Sequence, residues 1–280
     1  MINILGAIMI KVENVSFCYK NRKEKVLDGL NFSIQEGEIV ALVGKNGSGK
    51  STIGRLIAGI TKLKVGTITI DGFDVSDRKN RGILQEKVGI VFQNPENQII
   101  FNKIDDELSF SLKNLDKAEK ERRILQALKQ VEMLEHKDED LYTLSLGQKQ
   151  RIMIAEILAK NPKYIILDEP TTMIDSQGKE KIYEIIQNLK KQGYTVICIT
   201  NLADEILLAD RTYILADGKI VQEIPKEDLV EQTKIFQKFG IQEPTLLKIL
   251  LALKSEGIQI ELQNYSITEL VDGLKRRMRK

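Results

Sequence analysis

Gly44-Lys45-Asn46-Gly47-Ser48-Gly49-Lys50-Ser51 reads G-x-x-x-x-G-K-S, the phosphate-binding loop. Ahead of it, Glu38-Ile39-Val40-Ala41-Leu42-Val43 is a short apolar run suited to a buried strand. Behind it, Thr52-Ile53-Gly54-Arg55-Leu56-Ile57-Ala58-Gly59 is a helical pattern closed by glycine. Strand, glycine loop and helix form the context this motif requires. The glycines let backbone N–H groups turn inward, and the helix N-terminus adds positive potential. Lys50 is set to reach the β- and γ-phosphates, and the Ser51 hydroxyl to take one Mg²⁺ position. A glycine-rich turn without a ligand would need neither the lysine, the serine nor both flanks.

The chain has 280 residues, enough for one large or two modest domains. It is 42% hydrophobic and 29% charged, an ordinary globular composition. A net charge of only +2 argues against a dedicated nucleic-acid binder. Cys18 and Cys198 stand far apart without metal spacing, which fits small residues in a reducing compartment. No apolar run reaches membrane-spanning length. The apolar opening Met1-Ile2-Asn3-Ile4-Leu5-Gly6-Ala7-Ile8 is short and lacks the basic start of a signal peptide. The first strand pattern begins at Met9, which makes Met9 a candidate start; mass spectrometry of the native N-terminus decides between it and Met1.

Taken in order, Met9 to Tyr19 alternates apolar and polar residues and reads as an edge strand. After a charged turn at 21–25, Val26 to Ile34 reads as a second strand. Gly66 to Gly72 reads as an antiparallel β arm and Val88 to Phe92 as a buried strand. From about 95 to 161 the pattern turns helical, with amphipathic stretches at 105–115 and 117–134. This block interrupts a strand–helix alternation and reads as an inserted helical subdomain. Tyr164 to Glu169 is an apolar strand, Gly178 to Gln192 a helix, and Thr195 to Thr200 another core strand. A last hairpin runs through Tyr213–Leu215 and Lys219–Glu223 around Asp217-Gly218. The composition shifts after Pro225. A helix at 244–257 is apolar nearly all round and calls for burial, either in its own small domain or in a dimer contact. Ile267 to Leu274 precedes a basic end of Lys275, Arg276, Arg277, Arg279 and Lys280. These cations suit a helix C-terminus or anionic lipid headgroups. The expected division is a cassette over 9–225 and a small α-rich domain over 226–280.

Asp168 and Glu169 close a hydrophobic strand downstream of Lys50. An aspartate there can hold Mg²⁺ through water. The adjacent glutamate points to the other side of the strand end and can polarise an attacking water. An ordinary solvated strand terminus is the bland alternative, and the phosphate loop upstream weighs against it.

Leu144-Ser145-Leu146-Gly147-Gln148-Lys149-Gln150-Arg151 resembles the LSGGQ signature of the ATP-binding-cassette (ABC) ATPases. The other stations of that family occur in order. Tyr19 matches the aromatic that stacks on adenine, Gln93 the Q-loop glutamine, and Asp175 the D-loop aspartate. The resemblance covers about residues 9 to 224. Val91-Phe92-Gln93-Asn94-Pro95-Glu96-Asn97-Gln98 looks like the Q-loop of energy-coupling-factor (ECF) transporter ATPases, importers of vitamins and of cobalt or nickel ions. Gly240-Ile241 and the helix after Pro244 are similar to that subfamily's dimerisation domain, and Val26-Leu27-Asp28 resembles the first ATPase of the usual pair.

The resemblance implies a P-loop NTPase cassette of the α/β class. A RecA-like mixed sheet, an antiparallel β arm and a helical subdomain make up its parts. It implies two cassettes facing head to tail around ATP and Mg²⁺, each site joining one phosphate loop to the other chain's signature. Nucleotide contacts would come from Tyr19, Gly44, Asn46, Gly47, Ser48, Gly49, Lys50, Ser51 and Thr52. Ser145, Gly147, Gln148 and Asp175 would contribute across the dimer. Ser51, Gln93 and Asp168 would serve Mg²⁺; Glu169, Gln93 and Asn201 would serve hydrolysis. Partners would be a second, different cassette, a transmembrane coupling subunit whose helix sits near Gln93, and a separate membrane protein that selects the cargo. No nucleic acid is expected, and the location would be the cytoplasmic face of the cell membrane. ATP closure of such a dimer is a two-state switch biased by a ligand.

Two departures stand out. Leu146 replaces the first glycine of the signature, restricting the backbone and adding bulk where a partner's phosphate approaches. Asn201 stands where the family's switch histidine follows threonine. It can hydrogen-bond a phosphate oxygen but has no proton that titrates near neutrality. The sole histidine, His136, precedes the signature and reads as a solvated residue. The motor reading therefore competes with that of an ATP-closed regulatory half which scarcely hydrolyses. Glu169 favours the former; Leu146 and Asn201 favour the latter. A soluble cassette acting on DNA or ribosomes commonly carries two cassettes or a long coiled-coil insertion, and this sequence has neither.

Overall fold

A computed structural model describes residues 8–20, 24–262 and 265–278. The stretch before residue 8, most of the expected turn at 21–25, and Arg279 and Lys280 lie outside the described residues. Two sheets form the frame. The smaller is antiparallel, built from β1 (Ile8–Phe17), β2 (Leu27–Gln35), β4 (Val65–Ile70) and β5 (Phe73–Asp74) in the order β2-β1-β4-β5. The larger has β3 (Ile39–Val43), β6 (Val88–Val91), β7 (Tyr164–Asp168), β8 (Thr195–Thr200), β9 (Arg211–Ala216) and β10 (Lys219–Pro225) in the order β10-β9-β3-β8-β7-β6. Strands β9, β3, β8, β7 and β6 run parallel and β10 pairs antiparallel with β9, so the sheet is mixed.

Ten helices accompany them among the described residues. They are α1 (Lys50–Ile57), α2 (Arg81–Lys87), α3 (Ile104–Ser111), α4 (Lys117–Gln130) and α5 (Leu146–Ala159), then α6 (Ser176–Lys191), α7 (Ala203–Leu208), α8 (Lys234–Lys238), α9 (Thr245–Ser255) and α10 (Ile267–Met278). Helices α3, α4 and α5 occupy the stretch between β6 and β7.

The large sheet is buried on both faces, which is why β3, β7 and β8 read as unbroken apolar runs rather than alternating ones. Val40, Leu42, Ile166, Ile197 and Ile199 point into one apolar cluster with α1 and the small sheet. Ile39, Ala41, Val43, Ile165, Leu167, Val196 and Cys198 point into the other, with α4, α5 and α6. That second cluster also takes in Phe236, Ile241, Leu246, Leu247, Leu250 and Leu270 from the C-terminal segment.

One strand expectation is corrected. The Met9–Tyr19 stretch is no edge: β1 lies between β2 and β4 and pairs with both. Its alternation reports one face turned to the core, with Ile10, Val12 and Val15 buried, and a half-buried interior strand shows that pattern as readily as an edge does. Helix α9 is also less enclosed than its composition suggests. Leu246, Leu247 and Leu250 are buried, whereas Ile249 is 41% exposed. His136 sits on the surface with Nδ1 2.9 Å from Glu139 Oε1, and Lys275, Arg276 and Arg277 occupy the last turn of α10.

Candidate functional site

The loop between β3 and α1 is shaped by its glycines. Gly47 and Gly49 have φ of +82° and +106°, in the left-handed region that favours glycine. A side chain at Gly44 would lie 2.2 Å from the Leu215 carbonyl oxygen, so only glycine lets this loop lie against β9. Gly49 caps α1, and the buried Ser48 Oγ has no hydrogen-bond partner among the described residues. Such an orphaned oxygen in an anion-binding turn suits a ligand that supplies the missing bond.

Around the loop lies a cleft of about 550 Å³, lined by Tyr19, Val26, Asn46, Gly47, Gly49, Lys50, Ser51, Thr52, Gln93 and Glu169. Lys50 is buried; its ammonium donates to the carbonyls of Gly44 at 2.7 Å and Lys45 at 3.2 Å. Burial lowers its pKa, against the pull of Glu169 and Asp168. The Ser51 hydroxyl donates to Asp168 Oδ1 at 2.8 Å. Burial raises the Asp168 pKa, the Ser51 hydrogen bond lowers it, Glu169 raises it, and Arg55 and Lys50 lower it. A lysine and an aspartate both penalised for their charge make a site that gains from a phosphate beside one and a cation beside the other.

Gln93 Nε2 donates to Glu169 Oε2 at 2.9 Å, so the residues that follow the paired strands β6 and β7 meet at the cleft. Glu169 has φ of +51°, uncommon for a residue with a side chain, and its N–H donates to the Ile199 carbonyl at 2.7 Å. Asn201 Nδ2 donates to Asn46 Oδ1 at 3.1 Å, joining the end of β8 to the phosphate loop. Tyr19 stands edge-on to Phe17 with ring centroids 4.9 Å apart, and its hydroxyl lies 3.1 Å from Thr52 Oγ1.

Ser145, Gly147, Gln148 and Asp175 do not line this cleft. Ser145 and Gln148 form a reciprocal capping box at the start of α5, and the Asp175 carboxylate caps α6 through the Gly178 N–H at 2.7 Å. The two helix starts touch. A side chain at Gly147 would meet Ile174 Cγ2 at 3.0 Å, with the Gly178 Cα 3.6 Å away. Leu146 takes the first helical position of α5 and is not among the residues with positive φ. In this chain the position is helical, a conformation leucine adopts without strain.

Several contributors escape a motif reading. Val26 lines the cleft, although an apolar residue just ahead of a strand carries no chemical signal. The buried Lys149 pairs with Glu96 at 2.8 Å, and the buried Gln150 donates to the Phe92 carbonyl at 3.2 Å. Together they tie α5 to both sides of Gln93. Lys149 and Gln150 sit in the polar head of α5, between Gln148 and Arg151, so no break in pattern marks that bond in the sequence.

The ABC transporter family description matches residues 27–172. The energy-coupling factor transporter ATP-binding protein EcfA1 of Ligilactobacillus salivarius is 38% identical over 269 residues, covering 95% of each chain. The EcfA1 of Fusobacterium nucleatum is 39% identical over 265 residues, covering 94% of this chain and 97% of its own. Among solved structures, cbiO1 of Clostridium perfringens, part of the ABC transporter complex cbiONQ, is 32% identical with a TM-score of 0.75. That match covers 86% of this chain and 98% of its own. A dimeric post-hydrolysis form of the cassette MJ0796, bound to ADP and phosphate, is 31% identical with a TM-score of 0.71; 78% of this chain and 99% of the other are covered.

Proposed function

We infer the working cycle from one premise: the chain belongs to the ABC transporter family, among the energy-coupling-factor transporter ATP-binding proteins, and is an ATPase. The reading beyond that is a motor subunit whose ATP-driven closure against a second cassette drives uptake of vitamins or transition-metal ions through membrane partners. The observation that carries it is the gathering of Lys50, Ser51, Gln93 and Glu169 around one cleft, with Asp168 hydrogen-bonded behind Ser51.

Backbone N–H groups of Gly47 to Ser51 and the Lys50 ammonium hold the phosphate tail of ATP. Tyr19 stacks on the base. Mg²⁺, when bound, neutralises charge on the β- and γ-oxygens. Ser51, Gln93 and Asp168 would hold it, Asp168 through water. Among the described residues no three His, Cys, Asp or Glu side chains converge as a metal cage, and Mg²⁺ held mainly by phosphates and water needs none. The Glu169 carboxylate orients the attacking water and takes up its proton. Asn201 hydrogen-bonds a γ-phosphate oxygen.

Partner contacts follow from what the cleft omits. Ser145, Gly147 and Gln148 sit at a helix N-terminus outside it, suited to cap the γ-phosphate of a facing subunit, with Asp175 beside them. The partner would be a different cassette. A transmembrane coupling subunit and a substrate-binding membrane protein complete the transporter, and the chain works at the cytoplasmic membrane face. Among the described residues no helix is long and apolar enough to cross a membrane, so attachment would run through these partners. Glu169→Gln in the full chain with its partner tests the reading. Mg-ATP binding should persist while hydrolysis at this site is lost; parental single-turnover rates would reject it.

A second reading has Asn201 and Leu146 in its favour: an ATP-binding regulatory half with weak hydrolysis of its own. Single-turnover rates at this chain's site, measured beside the partner, separate the two.

A further inference from the structure

Glu205 is fully buried in the first turn of α7. Its Oε1 accepts a short hydrogen bond from the Thr171 hydroxyl, and its Oε2 makes none among the described residues. A carboxyl shut away from water with one bare oxygen costs free energy that an apolar residue would avoid. Packing alone does not account for it.

Its position does. Thr171 comes two residues after Glu169, and the loop they share hangs from β8 by the Glu169 N–H to the Ile199 carbonyl, 2.7 Å. The next residue on β8, Thr200, is buried beside the Glu205 carboxyl, and its hydroxyl accepts from the Leu202 N–H at 2.9 Å. Asn201 follows and reaches the phosphate loop through Asn46. The backbone bond fixes the spacing of the two strand ends. A second tie, two residues further along, stops the loop from turning about that bond. Glu169 needs such support, because its positive φ is held only by what surrounds it.

We propose that Glu205 is a positioning residue for ATP hydrolysis. Bound to Thr171 on one side and set beside Thr200 at the end of β8 on the other, it holds the Glu169 carboxylate and the Asn201 amide, which follows Thr200, in one fixed relation. The proposal rests on the reading that these two side chains act on bound ATP.

The test uses the full chain with the partner cassette that supports its fastest turnover. Glu205→Ala, Glu205→Gln and Thr171→Val are compared for kcat, KM, Mg-ATP affinity and Tm. Glu205→Ala and Thr171→Val should each lower kcat about tenfold or more, since small misplacements of reacting groups cost rate steeply, with KM and affinity within about twofold. Glu205→Gln keeps an acceptor for Thr171 and should recover most of the rate. The double variant Glu205→Ala/Thr171→Val should be no slower than the slower single one, as residues acting through one bond are not additive. If Glu205→Ala does not fold, Thr171→Val, which removes a single hydroxyl, decides. A parental kcat in Thr171→Val, or a loss of ATP affinity in step with kcat, overturns the proposal. Glu169→Gln run alongside keeps the two inferences apart. Full hydrolysis there would reject the site reading itself, whereas an inactive Glu169→Gln beside a parental Thr171→Val would reject only the role of Glu205.

Discussion

Asn201 shows how one side chain sets what a site can do. Its amide already reaches Asn46 at the rim of the phosphate loop, so a contact to a γ-phosphate oxygen is within its means. It lacks a proton that can move near neutral pH. Asn201→His should therefore raise turnover with ATP affinity nearly unchanged, and equal turnover numbers would show that this position is not limiting. Glu205 gives a second prediction at this scale. Burial pushes its pKa from 4.5 up to about 7, with the Thr171 and Thr200 hydroxyls and Lys179 pulling down and Glu169 pushing up. Tyr183 from α6 and Cys198 from β8 face the same carboxylate, and its charge raises the pKa of each on top of their burial. The folded chain thus holds this proton more tightly than the unfolded chain. Its contribution to stability is fully present below about pH 4.5 and is lost as the pH rises through about 7. The loss is on the order of 3 kcal/mol at most. Denaturant titrations at pH 4.5 and pH 8 should show that Glu205→Gln unfolds later than the parent only at the higher pH.

Helix α5 presses on the end strand of the large sheet so closely that a side chain at Gly89 would meet Ile157 Cγ2 at 2.0 Å. Gly89→Ala should cost about 1–3 kcal/mol through overpacking. Ile157→Ala on the same chain should relieve part of that, so the double variant falls short of the sum in chemical denaturation. Additive losses would mean that the two elements do not meet. What the sequence tells of each element follows its surroundings. Strands β3, β7 and β8 are legible because burial on both faces leaves no polar interruption. The phosphate loop, Asp168 and Glu169 are legible because their chemistry restricts residue type and order. Strand β1 was open to misreading, since its alternation marks one buried face and says nothing of what pairs with its edges. Helices α7 and α8 are too short for a helical period to repeat. The Thr171–Glu205 bond joins residues on different elements, and no local pattern carries such a pairing.

At the scale of the molecule, the cleft offers a phosphate tail one side only. The signature residues stand at the start of α5, outside the cleft, beside the start of α6 that carries Asp175. A purified chain by itself should hydrolyse ATP slowly and a reconstituted pair with a more standard cassette faster; equal rates would remove the need for a different partner. Mg-ATP should also tighten subunit association, which sedimentation with and without nucleotide would read. The far end of the chain bears on how such preparations are made. Phe236, Leu247 and Leu270 are sealed against the same side of the large sheet as α5 and α6. Trimming at Pro225 to obtain a shorter cassette would strip an oily seam bare, and the trimmed protein would clump before its chemistry could be measured.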